Sequence, residues 1–109
     1  MLRIIKSKAA DKTLEEVAQE FSGYVKLVVD IKREILSAGG ERHVDGEELL
    51  LKDGSRQEDL WGAGIDLESG EVDFDSMINI RPAQNNPSRE VLDQTIRKRA
   101  EAIIRKLIR

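Results

Sequence analysis

Cysteine is absent from this 109-residue chain. Disulfides, thiolate catalysis and cysteine-ligated zinc are therefore excluded. Only four residues are aromatic, Phe21, Tyr24, Trp61 and Phe74, so the core must be largely aliphatic. Histidine occurs once, at His43, which rules out a paired-histidine zinc motif. No Ser-His-Asp arrangement or phosphate-cradling glycine loop is visible either. No apolar run approaches the roughly 18 residues that span a bilayer. Residues 1–12, MLRIIKSKAADK, are too charged and too briefly apolar for a signal peptide, so a cytoplasmic location is expected.

Hydrophobic residues at 39% and charged residues at 36% describe a single globular domain over residues 1–109. The net charge is −3, but residues 41–75 hold twelve acids against three bases, and residues 93–109 hold six bases against two acids. Such a chain can pair its own halves or pair tail to middle across a symmetric homo-oligomer. The overall balance argues against non-specific nucleic-acid binding, which needs a surplus of Lys and Arg.

Local signals give the order of elements. Leu2–Lys6 reads as a short strand. Thr13-Leu-Glu-Glu16 has capping-box spacing before a helix with Leu14, Val17, Ala18 and Phe21 on one stripe, ending near Gly23. Tyr24–Ile31 is β-branched and aromatic, the signature of a buried strand, and Ile35–Ala38 can pair back on it. Asp45-Gly-Glu-Glu48 resembles a second cap, for a short helix ended by Asp53-Gly54, the alternative being a strand over Leu49–Leu51 that turns at Lys52-Asp53-Gly54-Ser55. Gln57–Leu67 and Val72–Arg81 should form a hairpin about Glu68–Glu71. The second of these strands alternates Phe74, Ser76, Ile78 and Ile80 with Asp75, Met77, Asn79 and Arg81. Asn86-Pro87 looks like a helix start, and a final amphipathic helix begins near Asp93 with Ile96, Ala100, Ile103, Ile104 and Leu107 inward. The expected class is α+β: an antiparallel sheet of four or five strands with helices packed on one face and a C-terminal amphipathic helix.

Candidate chemistry gathers in Gln57–Asn86. Gln57, Asp59 and Trp61 on one strand, with Asp75, Asn79 and Arg81 on the next, would make a polar face around an aromatic anchor. Gly62 and Gly64 beside it suggest close approach of a ligand or of another backbone, unless Trp61 supplies the bulk of the aliphatic core and the glycines mark a bulge. Arg81 could grip an anion with Gln84, Asn85 and Asn86, or pair internally with Asp59 or Asp75. His43, Asp45 and Glu47 with Asp59 and Asp75 form the one set that could hold a divalent metal, although capping accounts for those acids without any ligand. No cofactor is expected.

The segments Val29-Asp30-Ile31, Gly39-Gly40-Glu41, Asp53-Gly54-Ser55-Arg56-Gln57-Glu58-Asp59-Leu60-Trp61-Gly62 and Phe74–Pro82 together resemble a family of small prokaryotic proteins of unassigned function. The resemblance spans nearly the whole chain and implies a stand-alone domain, with no activity to carry over. The leading functional expectation is a small binding protein that recognises a small anion or a protein partner through the Gln57–Asn86 face. A divalent-metal hydrolase using Asp59 and Asp75 is the alternative. A nucleic-acid accessory role through Arg97, Lys98, Arg99, Arg105, Lys106 and Arg109 is the third.

Overall fold

The run Val25–Val29 builds the middle of the protein: Val25, Leu27, Val28 and Val29 are buried on the two faces of the sheet, and Lys26 alone is partly exposed. In the computed structural model, which describes residues 1–19 and 22–109, this run belongs to β2 (Tyr24–Asp30). The sheet order is β1 (Leu2–Ile5), β3 (Ile35–Gly39), β2, β4 (Leu60–Asp66) and β5 (Val72–Asp73), all neighbours antiparallel. The β2–β3 turn is held by the buried Asp30, whose Oδ1 accepts from the Lys32 and Arg33 amides at 2.9 Å.

Register divides the side chains between two faces. Val25, Leu27 and Val29 lie opposite Ile65, Ala63 and Trp61, and belong to the main core with α1 (Asp11–Val17) and α3 (Gln94–Leu107). Val28, Ile35 and Leu60 point the other way and meet Leu50 of α2 (His43–Lys52). The sheet is antiparallel with five strands, as expected, but the helices do not all share one face. Packing on both faces explains why β2 does not alternate strictly, with Leu27, Val28 and Val29 consecutive and all buried.

The two expected caps do not form. Helix α1 starts at Asp11, so Thr13 lies inside its first turn, and no side chain caps its start. The Ala9 amide bonds to Leu107 O at 2.9 Å, so a contact with the end of α3 fixes where the chain turns into α1. Glu16, assigned to that box, instead accepts from Arg3 Nη2 at 3.1 Å. Helix α1 ends at Val17, short of Gly23, and Phe21 lies outside the described residues. Helix α2 likewise begins at His43, and Asp45 pairs with Arg42 at 3.3 Å instead of capping. Helix α3 starts as expected, with Asp93 Oδ1 accepting from the Thr95 and Ile96 amides at 2.8 and 3.2 Å. Of its expected stripe, Ala100, Ile103, Ile104 and Leu107 are buried, and Ile96 is partly buried against the same core.

The largest departures lie in the two strands of the expected hairpin. Gln57–Asp59 is a 3-10 turn rather than strand, and β5 ends at Asp73. Residues 74–92 then run as a strap containing two more 3-10 turns, Met77–Asn79 and Pro82–Gln84. Phe74 enters the main core and Ile78 the small cluster, while Ile80 is 40% exposed. Ser76 Oγ accepts from the Ile78 amide, so local side-chain bonding defeats the strand periodicity.

Candidate functional site

The polar face expected over Gln57–Asn86 is split by this strap into two separate regions. At the start of β4, Trp61 is 1% exposed and belongs to the core, and the Arg81 guanidinium stacks 3.9 Å from its ring centroid. Arg81 Nη1 donates to Gln57 O at 2.6 Å, and Nη2 donates to Leu60 O. Gln84 Nε2 donates to Glu58 O at 3.0 Å, closing the same corner. Arg81 makes no ion pair among the described residues, because Asp75 pairs with Arg89 at 2.8 Å and the Asp59 carboxylate has no cationic partner. The acid facing Arg81 is Glu47 of α2, buried at 8% exposure. Burial raises the Glu47 pKa against the opposing pull of Arg81 and Gln57, and burial lowers that of Arg81. With both Nη atoms on carbonyl oxygens and Nε buried, Arg81 lacks the open fork that bidentate anion binding requires.

Asn79 and Asn86 hold the chain together and do not face solvent. Asn79 Oδ1 accepts from the Gly62 amide at 2.8 Å, and its Nδ2 reaches Gly62 O, Phe74 O and Arg89 O at 3.0–3.1 Å. The amide thus replaces a neighbouring strand at the β4 edge. Asn86 Nδ2 reaches Asn79 O, Ser88 O and Glu90 O, and its Oδ1 accepts from the Leu92 amide, so it does not start a helix. Asn85 is the exposed left-handed residue (φ 59°) that turns the chain between Arg81 and Asn86.

Where β5 ends, a cleft of about 680 Å³ opens between the sheet, the first turn of α2 and the strap. Its floor follows the sheet register. Lys26 of β2 lies opposite Gly64 of β4, which lies opposite Asp73 of β5, so the three form one row. The Tyr24 ring crosses Gly64 and donates its hydroxyl to Asp73 Oδ2 at 2.8 Å. A Cβ on Gly64 would stand 1.8 Å from that hydroxyl, so only glycine allows the crossing. The close approach anticipated at Gly62 and Gly64 is thus made by the protein's own Ser76 and Tyr24. Burial raises the Tyr24 pKa, as does the hydrogen bond to Asp73.

His43 opens α2 and lines the cleft. Its Nε2 lies 2.7 Å from Ala63 O; a carbonyl can only accept, so Nε2 carries the proton and Nδ1 is left as an acceptor. Burial lowers the His43 pKa and Lys26 adds to this, while the Ala63 bond, Asp73 and Asp75 oppose it. Lys26 Nζ donates to Glu41 O, and neither Lys26 nor Asp73 enters an ion pair among the described residues. Val44, Met77 and Ile78 supply the apolar part of the wall.

Two of the expected residues, His43 and Asp75, therefore belong to this cleft, whereas Gln57, Trp61, Arg81 and Gln84 form the other corner. Tyr24, Lys26 and Asp73 escaped sequence reasoning. The available signal was Lys26, the one charge inside the run Tyr24–Val29.

Among the described residues, no three His, Asp or Glu side chains gather closely enough to hold a metal ion. His43, Asp45, Glu47, Asp59 and Asp75 are thus not assembled into the hydrolase site that was the alternative. The basic residues of α3 and its C-terminus do not form one free face either. Arg99 Nε donates to Ile31 O, Arg105 Nη1 to Gly70 O, Arg109 Nη1 to Leu67 O, and Arg97 pairs with Glu90. The basic tail therefore reaches the acidic middle within the chain, at the β4–β5 turn. No helix among the described residues is long and apolar enough to cross a membrane.

A family model described as "Protein of unknown function (DUF5674)" matches residues 3–107. No curated protein and no solved structure matches the chain.

Proposed function

The chain belongs to this family of proteins of unknown function, DUF5674, and we propose that it is a small binding protein whose ligand occupies the cleft over Gly64. The observation that carries this reading is the concave space of about 680 Å³, within the range of small-molecule sites, with a few convergent polar groups on an apolar wall. Tyr24, Lys26, His43 and Asp73 are the groups that would fix the ligand's orientation. Their supports are rigid, since three of the four lie on sheet strands and His43 is anchored to Ala63. Among the described residues, no group of three His, Asp or Glu side chains stands beside them to hold a metal ion.

The test is an amide-resolved NMR titration of the whole protein with a library of small polar compounds. Shifts confined to His43, Val44, Gly64 and Asp73, and lost in Lys26→Met, are expected. Compounds that shift only the Gln57–Arg81 corner, or no compound shifting the cleft, would overturn the assignment.

A further inference from the structure

Two unlike charges face the same cleft without ionic partners, in a protein that elsewhere pairs charges in eight salt bridges among the described residues. Lys26 and Asp73 are kept apart by the sheet itself. Each lies opposite Gly64 on its own side, so two inter-strand spacings of about 4.8 Å separate their backbones. Gly64 has no side chain to bridge them, and the Tyr24 ring occupies the floor between.

Each charge keeps hydrogen-bonding capacity. Lys26 uses one of three N–H groups, on Glu41 O. Asp73 accepts one bond at each oxygen, from Tyr24 at Oδ2 and from the Asp75 amide at Oδ1, so each oxygen retains a lone pair. An anionic ligand would satisfy Lys26 and be repelled by Asp73. A cationic ligand would do the reverse.

Resting on the cleft assignment above, we infer that the ligand is a small zwitterion of dipeptide type, its carboxylate held by Lys26, its ammonium by Asp73, and its apolar body against Val44, Met77 and Ile78. The separation of the two charges favours a dipeptide over a free α-amino acid, whose ammonium and carboxylate share one carbon. Arg42, Asp75, Arg89 and Glu90 also line the cleft, but each is already held in a salt bridge, and His43 Nδ1 is free to accept a peptide N–H.

The test is calorimetric titration with glycyl-L-leucine, N-acetylglycyl-L-leucine, which lacks the ammonium, and glycyl-L-leucinamide, which lacks the carboxylate. Each single-charge probe is expected to bind at least about tenfold more weakly, the loss for one charge-assisted hydrogen bond. Lys26→Met should erase the preference over the amide but keep the preference over the acetylated probe. Asp73→Asn should do the opposite, and Lys26→Arg should restore binding. Melting curves of the variants exclude unfolding as the cause of a loss. Equal binding of all three probes would overturn the zwitterion inference. So would silence of glycyl-L-leucine while other compounds shift the cleft amides, and the cleft would then stand as a site for another class. Absence of cleft shifts with every compound would overturn both proposals.

Discussion

Replacing Asn79 by alanine should remove much of the stability of this protein, because one side-chain amide stands in for a missing strand. Its Oδ1 is the partner of the Gly62 amide, which is buried in the sheet. Orphaning that N–H costs about 1–3 kcal/mol. The two Nδ2 hydrogens are shared among Gly62 O, Phe74 O and Arg89 O, and their loss adds about 1 kcal/mol each. The sum, about 3–5 kcal/mol, is a large part of the roughly 5–15 kcal/mol that stabilises a domain of this size. Urea unfolding should therefore show a much lower midpoint with an unchanged slope. Asn79→Asp sharpens the test. It retains the acceptor for Gly62 but sets a carboxylate against three carbonyl oxygens, so it should regain stability as pH falls and the acid protonates. A loss below about 1 kcal/mol in Asn79→Ala, an ordinary net hydrogen bond, would refute the strand-replacement account.

Three further outcomes are expected. Gly64→Ala should force Tyr24 off the β4 backbone, since the added Cβ meets the ring carbon bearing the hydroxyl at 2.3 Å, at a cost of about 1–3 kcal/mol read by thermal unfolding. Ultraviolet titration of the single tyrosine should show ionisation well above the usual pH 10. Asp73→Asn should bring it back down, and wild-type stability should fall as pH rises past 10 because the unfolded chain loses that proton first. Glu47→Gln should be more stable than wild type at neutral pH. Glu47 titrates above its unfolded value of 4.5, so wild type loses stability as pH climbs from 4.5 through the raised folded value. A variant curve parallel to wild type across that range would show that Glu47 is not held in the low-dielectric setting described.

How far the sequence could be read depended on whether a signal was local. The stripe of α3 and its start near Asp93 were legible because both are satisfied within one helix. The β2–β3 pair was legible because β-branched residues need a sheet and the intervening turn leaves one neighbour within reach. The start of α1 was misread because the Ala9–Leu107 bond, spanning nearly the whole chain, outweighs a hydroxyl cap. The 74–81 segment was misread because alternation records which side chains are buried, not which groups pair with the backbone. Phe74, Ser76 and Asn79 are buried in a strap as well as they would be in a strand.

The candidate site shows the same boundary. Composition and local pattern established an aliphatic α+β protein without thiol chemistry and with a charge-rich polar stretch at Gln57–Asn86. Only the register could place Lys26, Gly64 and Asp73 in one row, because they come from three strands that meet side by side in the sheet. The tertiary structure likewise turned Trp61, Asn79 and Asn86 inward and divided the polar stretch in two. The types of residue in a polar network can be read from sequence. Whether they face each other or the solvent depends on what packs over them, and here that cover is the strap and α2.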